Sequence, residues 1–126
     1  MSYRTPVKQA LGLGSAKYGV QHWWVQRVTA VALVPLVVWF AFGVAVHAGA
    51  DYETVRAWIG SPITAVLFIA LIAITCHHMQ LGLQVVIEDY VHARGPQIAT
   101  IVLVKFVSAI LALAGIFAVL RIALGG

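Results

Sequence analysis

The chain has 126 residues, of which 62% are hydrophobic and only 10% charged, with a formal net charge of +4 and a mean hydropathy of +0.96. An ordinary soluble domain carries about 25% charged residues, so this composition excludes a water-soluble globule and points to a single membrane-embedded domain over residues 1–126. One cysteine, Cys76, excludes an internal disulfide framework, and the small excess of positive charge reads as a topology signal rather than a nucleic-acid patch.

Residues 1–24 form a polar N-terminal segment. No cleavable signal peptide is apparent, because the apolar stretch that follows is too long for an h-region. That stretch, Val28 to Val46, carries no charge and covers roughly 28 Å as a helix, close to the ~30 Å hydrocarbon thickness. A first span over about 25–47 is expected, with Trp23 and Trp24 in the interfacial belt and Pro35 tolerated as a kink. Next comes Asp51-Tyr-Glu-Thr-Val-Arg-Ala-Trp-Ile-Gly60, where Tyr52, Val55 and Ile59 recur at helical spacing beside Trp58. A short interfacial helix in this first loop is expected.

Ser61-Pro62 supplies an N-cap and a first-turn proline for a second span over about 62–87, ended by Glu88-Asp89. The third, over about 97–121, follows Gly95-Pro96. Within or beside it, Lys105 and Arg121 are far enough apart for each to snorkel to its own interface. The fold expected is therefore an all-α integral membrane protein of three transmembrane helices. Arg4, Lys8, Lys17, Arg27 and Arg94 then fall on one side, and Arg56 and Arg121 on the other. The positive-inside rule makes this an N-in/C-out chain, with its N-terminus cytoplasmic or in the matrix.

The last half of the second span holds residues that lipid disfavours. Adjacent His77 and His78 diverge by about 100° on a helix, so one face reads His78, Gly82, Val85, Asp89 and the other His77, Leu81, Gln84, Glu88. His78 lies roughly 16 Å along the axis from Asp89, near the bilayer midplane. With Gly82 one turn on, it is compatible with axial ligation of a flat metal cofactor such as haem. The same spacing suits interhelical polar packing or a proton relay, and alone does not choose among them. Asp89-Tyr90 reads either as a helix-ending carboxylate with a belt tyrosine or as a polar head-group site. Arg27, at similar depth, either snorkels, pairs with Asp89 or meets an anionic group of a cofactor.

His78-Met-Gln-Leu-Gly82-Leu-Gln-Val-Val-Ile-Glu-Asp89-Tyr90 resembles the H-x-x-x-G-x6-D-Y signature of the succinate dehydrogenase hydrophobic membrane anchor, the D-type subunit of complex II. Gly14-Ser-Ala-Lys-Tyr-Gly-Val-Gln-His22-Trp-Trp-Val-Gln-Arg27-Val-Thr-Ala-Val-Ala-Leu33 is similar to that family's R-x-T-A segment at the first helix. The resemblance implies an anchor in the bacterial inner membrane or the mitochondrial inner membrane. Its partners would be a cytochrome-b-type C anchor subunit, an iron–sulfur subunit and a flavoprotein subunit. It implies haem b shared with the C subunit, with His78 the axial ligand from this chain, Arg27 near the propionates and His22 more weakly so. Tyr90 would hydrogen-bond ubiquinone, the substrate, with Asp89 in the proton network. FAD and the iron–sulfur clusters would lie only in the partner subunits, and this chain alone would catalyse nothing. The competing readings are the anchor of a related fumarate reductase and a small non-haem membrane subunit or transporter.

Overall fold

The computed structural model describes residues 6–10 and 16–125. Arg4, Gly14-Ser15 and Gly126 lie outside the described residues, as do the side chains of Lys8 and Lys17. Described are five helices: α1 (Pro6–Ala10), α2 (Ala16–His47), α3 (Tyr52–Gly60), α4 (Pro62–Tyr90) and α5 (Arg94–Ala123). Three segments, Gly19–His47, Pro62–Tyr90 and Arg94–Ala123, are long and apolar enough to cross a membrane. The short α3 forms where the first loop was expected to carry a helix.

The long helices overrun the expected spans because leaving the hydrocarbon does not by itself end a helix. At 1.5 Å per residue, 29 residues reach about 44 Å, well beyond the ~30 Å apolar core. Thus α2 begins at Ala16 instead of near residue 25, and α4 continues through Glu88-Asp89 to Tyr90. Gln84 Nε2 donates to Glu88 Oε1 at 2.8 Å, an i,i+4 bond that supports this last turn. Helix α5 starts at Arg94, ahead of Gly95-Pro96; a proline in the first turn removes only an N–H that has no intrahelical partner anyway. Pro35 lies within an unbroken α2.

Helix α4 is central, packing most extensively on α5 and then on α2, while α3 lies against α4 and α5. Small and polar residues share the contacts with a few aliphatic ones. Thr64, Ala65, Gln80, Leu81 and Ile87 of α4 are buried, as are Ser108 and Val119 of α5. A Cβ on Gly115 would come within 3.1 Å of the Ile72 side chain, so glycine there lets α5 approach α4 closely. The large apolar side chains, among them Val31, Phe42, Ile63, Phe106 and Phe117, point outward. That inversion of the soluble pattern suits lipid as solvent, where burial of apolar surface supplies no drive for helix association.

At the α3 end of the bundle the packing is aromatic. Asp51 caps α3, its carboxylate accepting from Thr54 N at 2.9 Å. Trp58 lies over Gly43 of α2, where any Cβ would overlap the indole ring. The same ring stacks on His47 with centroids 4.2 Å apart and meets Phe68 edge-on at 5.4 Å. Trp39 joins the cluster at 5.3 Å from Phe68. His47 Nδ1 lies 2.8 Å from the Gly43 carbonyl. Ser61 occupies the N-cap of α4, but its hydroxyl makes no capping bond to the backbone; it lies 2.7 Å from Thr64 Oγ1 and 2.9 Å from Trp58 O.

Candidate functional site

At the opposite end, where α4 turns into α5, polar residues enter the helix contacts. Helices α2 and α4 run antiparallel, which brings the first turns of α2 beside the last turns of α4. Two grooves open there on either side of α4, as the 100° offset between His77 and His78 requires.

The first groove has a volume of about 560 Å3 and is lined by Gly19, His22, Trp23, Gln26, Arg27, Ala30, His78 and Val85. His78 is half-buried, and its Nδ1 lies 2.9 Å from Thr29 Oγ1. Among the described residues its Nε2 has no hydrogen-bond partner. Two further polar atoms are buried without partners nearby, His22 Nε2 and Gln26 Oε1. A buried polar atom left without a hydrogen bond loses about 1–3 kcal/mol, so these two atoms beside one groove are groups that a further polar partner would satisfy. The Arg27 guanidinium is exposed and rests over the Trp23 ring at 5.4 Å, a cation–π arrangement. Arg27 and Asp89 make no ion pair, so of the readings open for Arg27, pairing with Asp89 is not the one adopted.

The second groove, of about 650 Å3, is lined by His22, His77, Gln80, Leu81, Gln84, Glu88 and Lys105 among others. It adjoins a smaller one of about 260 Å3 that shares His77, Gln80 and Lys105 and is floored by Ala73, Cys76, Ala109 and Ala112. Gln80 is 8% exposed, and its Nε2 donates to Gln84 Oε1 at 3.2 Å. Gln84 Nε2 in turn donates to Glu88 Oε1. The Glu88 carboxylate, acceptor only when ionised, thus orients both amides along α4. Cys76 is half-buried on this smaller groove.

The residues expected at the haem and quinone sites are placed unevenly. His78, Arg27 and His22 line the same groove. Asp89 and Tyr90 line neither of the larger grooves; both are exposed at the end of α4, Tyr90 by 79%. A Cβ at Gly82 would meet only the Gln26 amide nitrogen, at 3.7 Å, an ordinary contact. Thr29, Gln26, the Gln80–Gln84–Glu88 ladder and the groove position of Lys105 are contributions that periodicity alone did not single out. Thr29 is nevertheless the one hydroxyl residue of the Val28–Val46 stretch, and a polar side chain in lipid needs a partner. Among the described residues no three His, Cys, Asp or Glu side chains gather, so His78 offers a single imidazole. One imidazole, with the unpartnered His22 and the exposed Arg27 beside it, is a donor set compatible with a haem and its anionic propionates.

Comparison with known proteins adds independent findings. A family model described as succinate dehydrogenase/fumarate reductase transmembrane subunit matches residues 1–114. The succinate dehydrogenase hydrophobic membrane anchor subunit of Paracoccus denitrificans is 37% identical over 99% of this chain and 96% of its own length. That of Rickettsia bellii is 32% identical over 93% and 94%, respectively. The succinate dehydrogenase membrane anchor subunit of Reclinomonas americana is 30% identical over 73% of this chain and 79% of its own. No solved structure matches the chain.

Proposed function

This chain belongs to the succinate dehydrogenase/fumarate reductase transmembrane subunit family, and from that premise we propose that it anchors a succinate:quinone oxidoreductase and supplies one haem ligand and part of its quinone site. The relatives named above, all anchors of succinate dehydrogenases, support the succinate-oxidising direction. The observation that carries the haem reading is His78, with one ring nitrogen engaged by Thr29 and the other without a partner, on a groove that holds the orphaned His22 and Gln26 atoms.

A b-type haem bound there supplies one-electron storage inside the membrane. His78 would hold the iron from this chain through Nε2, and a C-type anchor subunit would hold it from its own side. Arg27, resting over Trp23, would neutralise a propionate, with His22 as a second donor. Tyr90 donates a hydrogen bond to a carbonyl oxygen of ubiquinone, and Asp89 beside it passes protons. Their exposure suits a pocket finished by other subunits. Electrons reach the quinone from a flavoprotein and an iron–sulfur subunit, which carry FAD and the clusters. The N-in/C-out orientation belongs to the same proposal. It sets the Tyr90–Arg94 connection on the cytoplasmic or matrix side, where soluble subunits dock and protons are drawn.

His78→Ala in the assembled complex tests the reading. The b-type absorbance is expected to vanish or shift strongly in a reduced-minus-oxidised spectrum. An unchanged spectrum would overturn the ligand assignment.

A further inference from the structure

Thr29 is half-buried on α2, and three atoms compete for its hydroxyl: Val25 O at 2.7 Å, Gln26 O at 3.0 Å and His78 Nδ1 at 2.9 Å. A hydroxyl has one proton and two lone pairs. The two carbonyls are able only to accept, and the shorter contact is to Val25, which favours a proton directed back along α2 over one given to Nδ1. That leaves a lone pair of Oγ1 facing the imidazole, and the nitrogen opposite it must donate. We infer that Thr29 is the positioning residue that fixes His78 in its Nδ1–H tautomer, leaving the Nε2 lone pair as the ligating atom.

The inference rests on the haem reading above and deepens it. A metal-binding histidine needs its second ring nitrogen held, both to set the tautomer and to stop the ring turning about its Cβ–Cγ bond. Here a neutral hydroxyl on a neighbouring helix does this, across 49 positions of sequence. The bond therefore also fixes how α2 and α4 meet at the groove. Because the hydroxyl accepts a hydrogen bond from Nδ1–H, it raises the basicity of Nε2 and favours the oxidised iron.

Thr29→Val keeps the shape of the side chain and removes the acceptor. In the purified complex, read on the assembled fraction, it is expected to weaken haem retention by about 10- to 100-fold. It should also raise the haem midpoint potential, since the ligand becomes less basic, and shift the low-spin ferric EPR signal as the ring turns. Thr29→Ser restores the hydroxyl and is expected to return all three to wild-type values. If His78→Ala abolishes the spectrum while Thr29→Val leaves potential, EPR and retention unchanged, the tautomer role is overturned and the ligand reading stands. If Thr29→Ser shifts the potential as far as Thr29→Val, the hydroxyl is not the agent and the inference fails. A spectrum unchanged in His78→Ala overturns the ligand and with it the role of Thr29.

Discussion

The two ends of the helix bundle solve the same packing problem in opposite ways. At the α3 end the chain is sufficient to itself: Trp58 fills the notch over Gly43, His47 and Phe68 close on its ring, and Asp51 caps the short helix. At the α4–α5 end the packing is left open. Among the described residues, both buried side-chain atoms without a hydrogen-bond partner, His22 Nε2 and Gln26 Oε1, lie there beside two grooves. Buried polar atoms are disfavoured unless satisfied, and in lipid no water is at hand to satisfy them. One end is thus finished within the chain, and the other leaves buried polar atoms unsatisfied.

This contrast predicts that stability and cofactor binding separate by position. The largest effect is expected from Trp58→Ala, which removes the ring shared by His47, Phe68 and Trp39. About 3 kcal/mol of stability should be lost, near the lower bound for a large aromatic because the ring is only half-buried. Thermal unfolding of the purified complex measures it, and the haem spectrum should not move. A spectral shift would mean that the two ends are mechanically coupled. His22→Leu at the other end should do the reverse, weakening haem retention about tenfold, the equivalent of roughly 1.4 kcal/mol for one hydrogen bond to a charged group. Equal haem titration curves for His22→Leu and wild type would take His22 out of the site.

The same contrast explains what was legible in the sequence. Hydropathy found the three long helices, because lipid selects for apolar residues one segment at a time. The helical spacing of Tyr52, Val55 and Ile59, with Trp58 beside them, announced α3 for an equally local reason. The helix ends were less legible: Glu88-Asp89 marks where α4 leaves the apolar zone, yet the helix runs on to Tyr90 under its own hydrogen bonds. Least legible were bonds between helices. Nothing in the periodicity of α2 says that Thr29 meets His78, or that Gln26 lies near Gly82, since both depend on the relative rotation of two helices. The separation of His77 from His78 was readable, because one helix alone determines it.

Tyr90 sharpens the comparison further, since it lies at the open end but outside both larger grooves. Tyr90→Phe removes one hydroxyl and should leave haem retention and thermal stability unchanged. Loss of one neutral hydrogen bond to a quinone carbonyl is worth about 1 kcal/mol, so quinone reduction should fall roughly fivefold. Succinate oxidation by a soluble artificial acceptor should persist. Parallel loss of both activities would indicate failed assembly and remove the case for a quinone contact.

The smallest effect is expected at the α3 end, from pH. The Thr54 side chain and backbone N–H hold the Asp51 carboxyl below its usual range by hydrogen-bonding to its charged form. A carboxyl whose pKa is lower in the folded chain contributes stability that is fully present above its unfolded pKa, and that contribution fades as pH falls through the folded value. Acidification below the ordinary carboxylate range should therefore loosen α3. Hydrogen exchange at the α3 amides in the intact complex measures this. Asp51→Asn keeps an oxygen acceptor at the cap and has no proton to gain, so exchange there should become insensitive to pH in that window, once corrected for the intrinsic rate. Asp51→Ala removes the cap altogether and should give fast exchange at both pH values. If wild type and Asp51→Asn respond to acid alike, the pH response does not come from this cap, and the α3 end would owe its order to the Trp58 cluster alone.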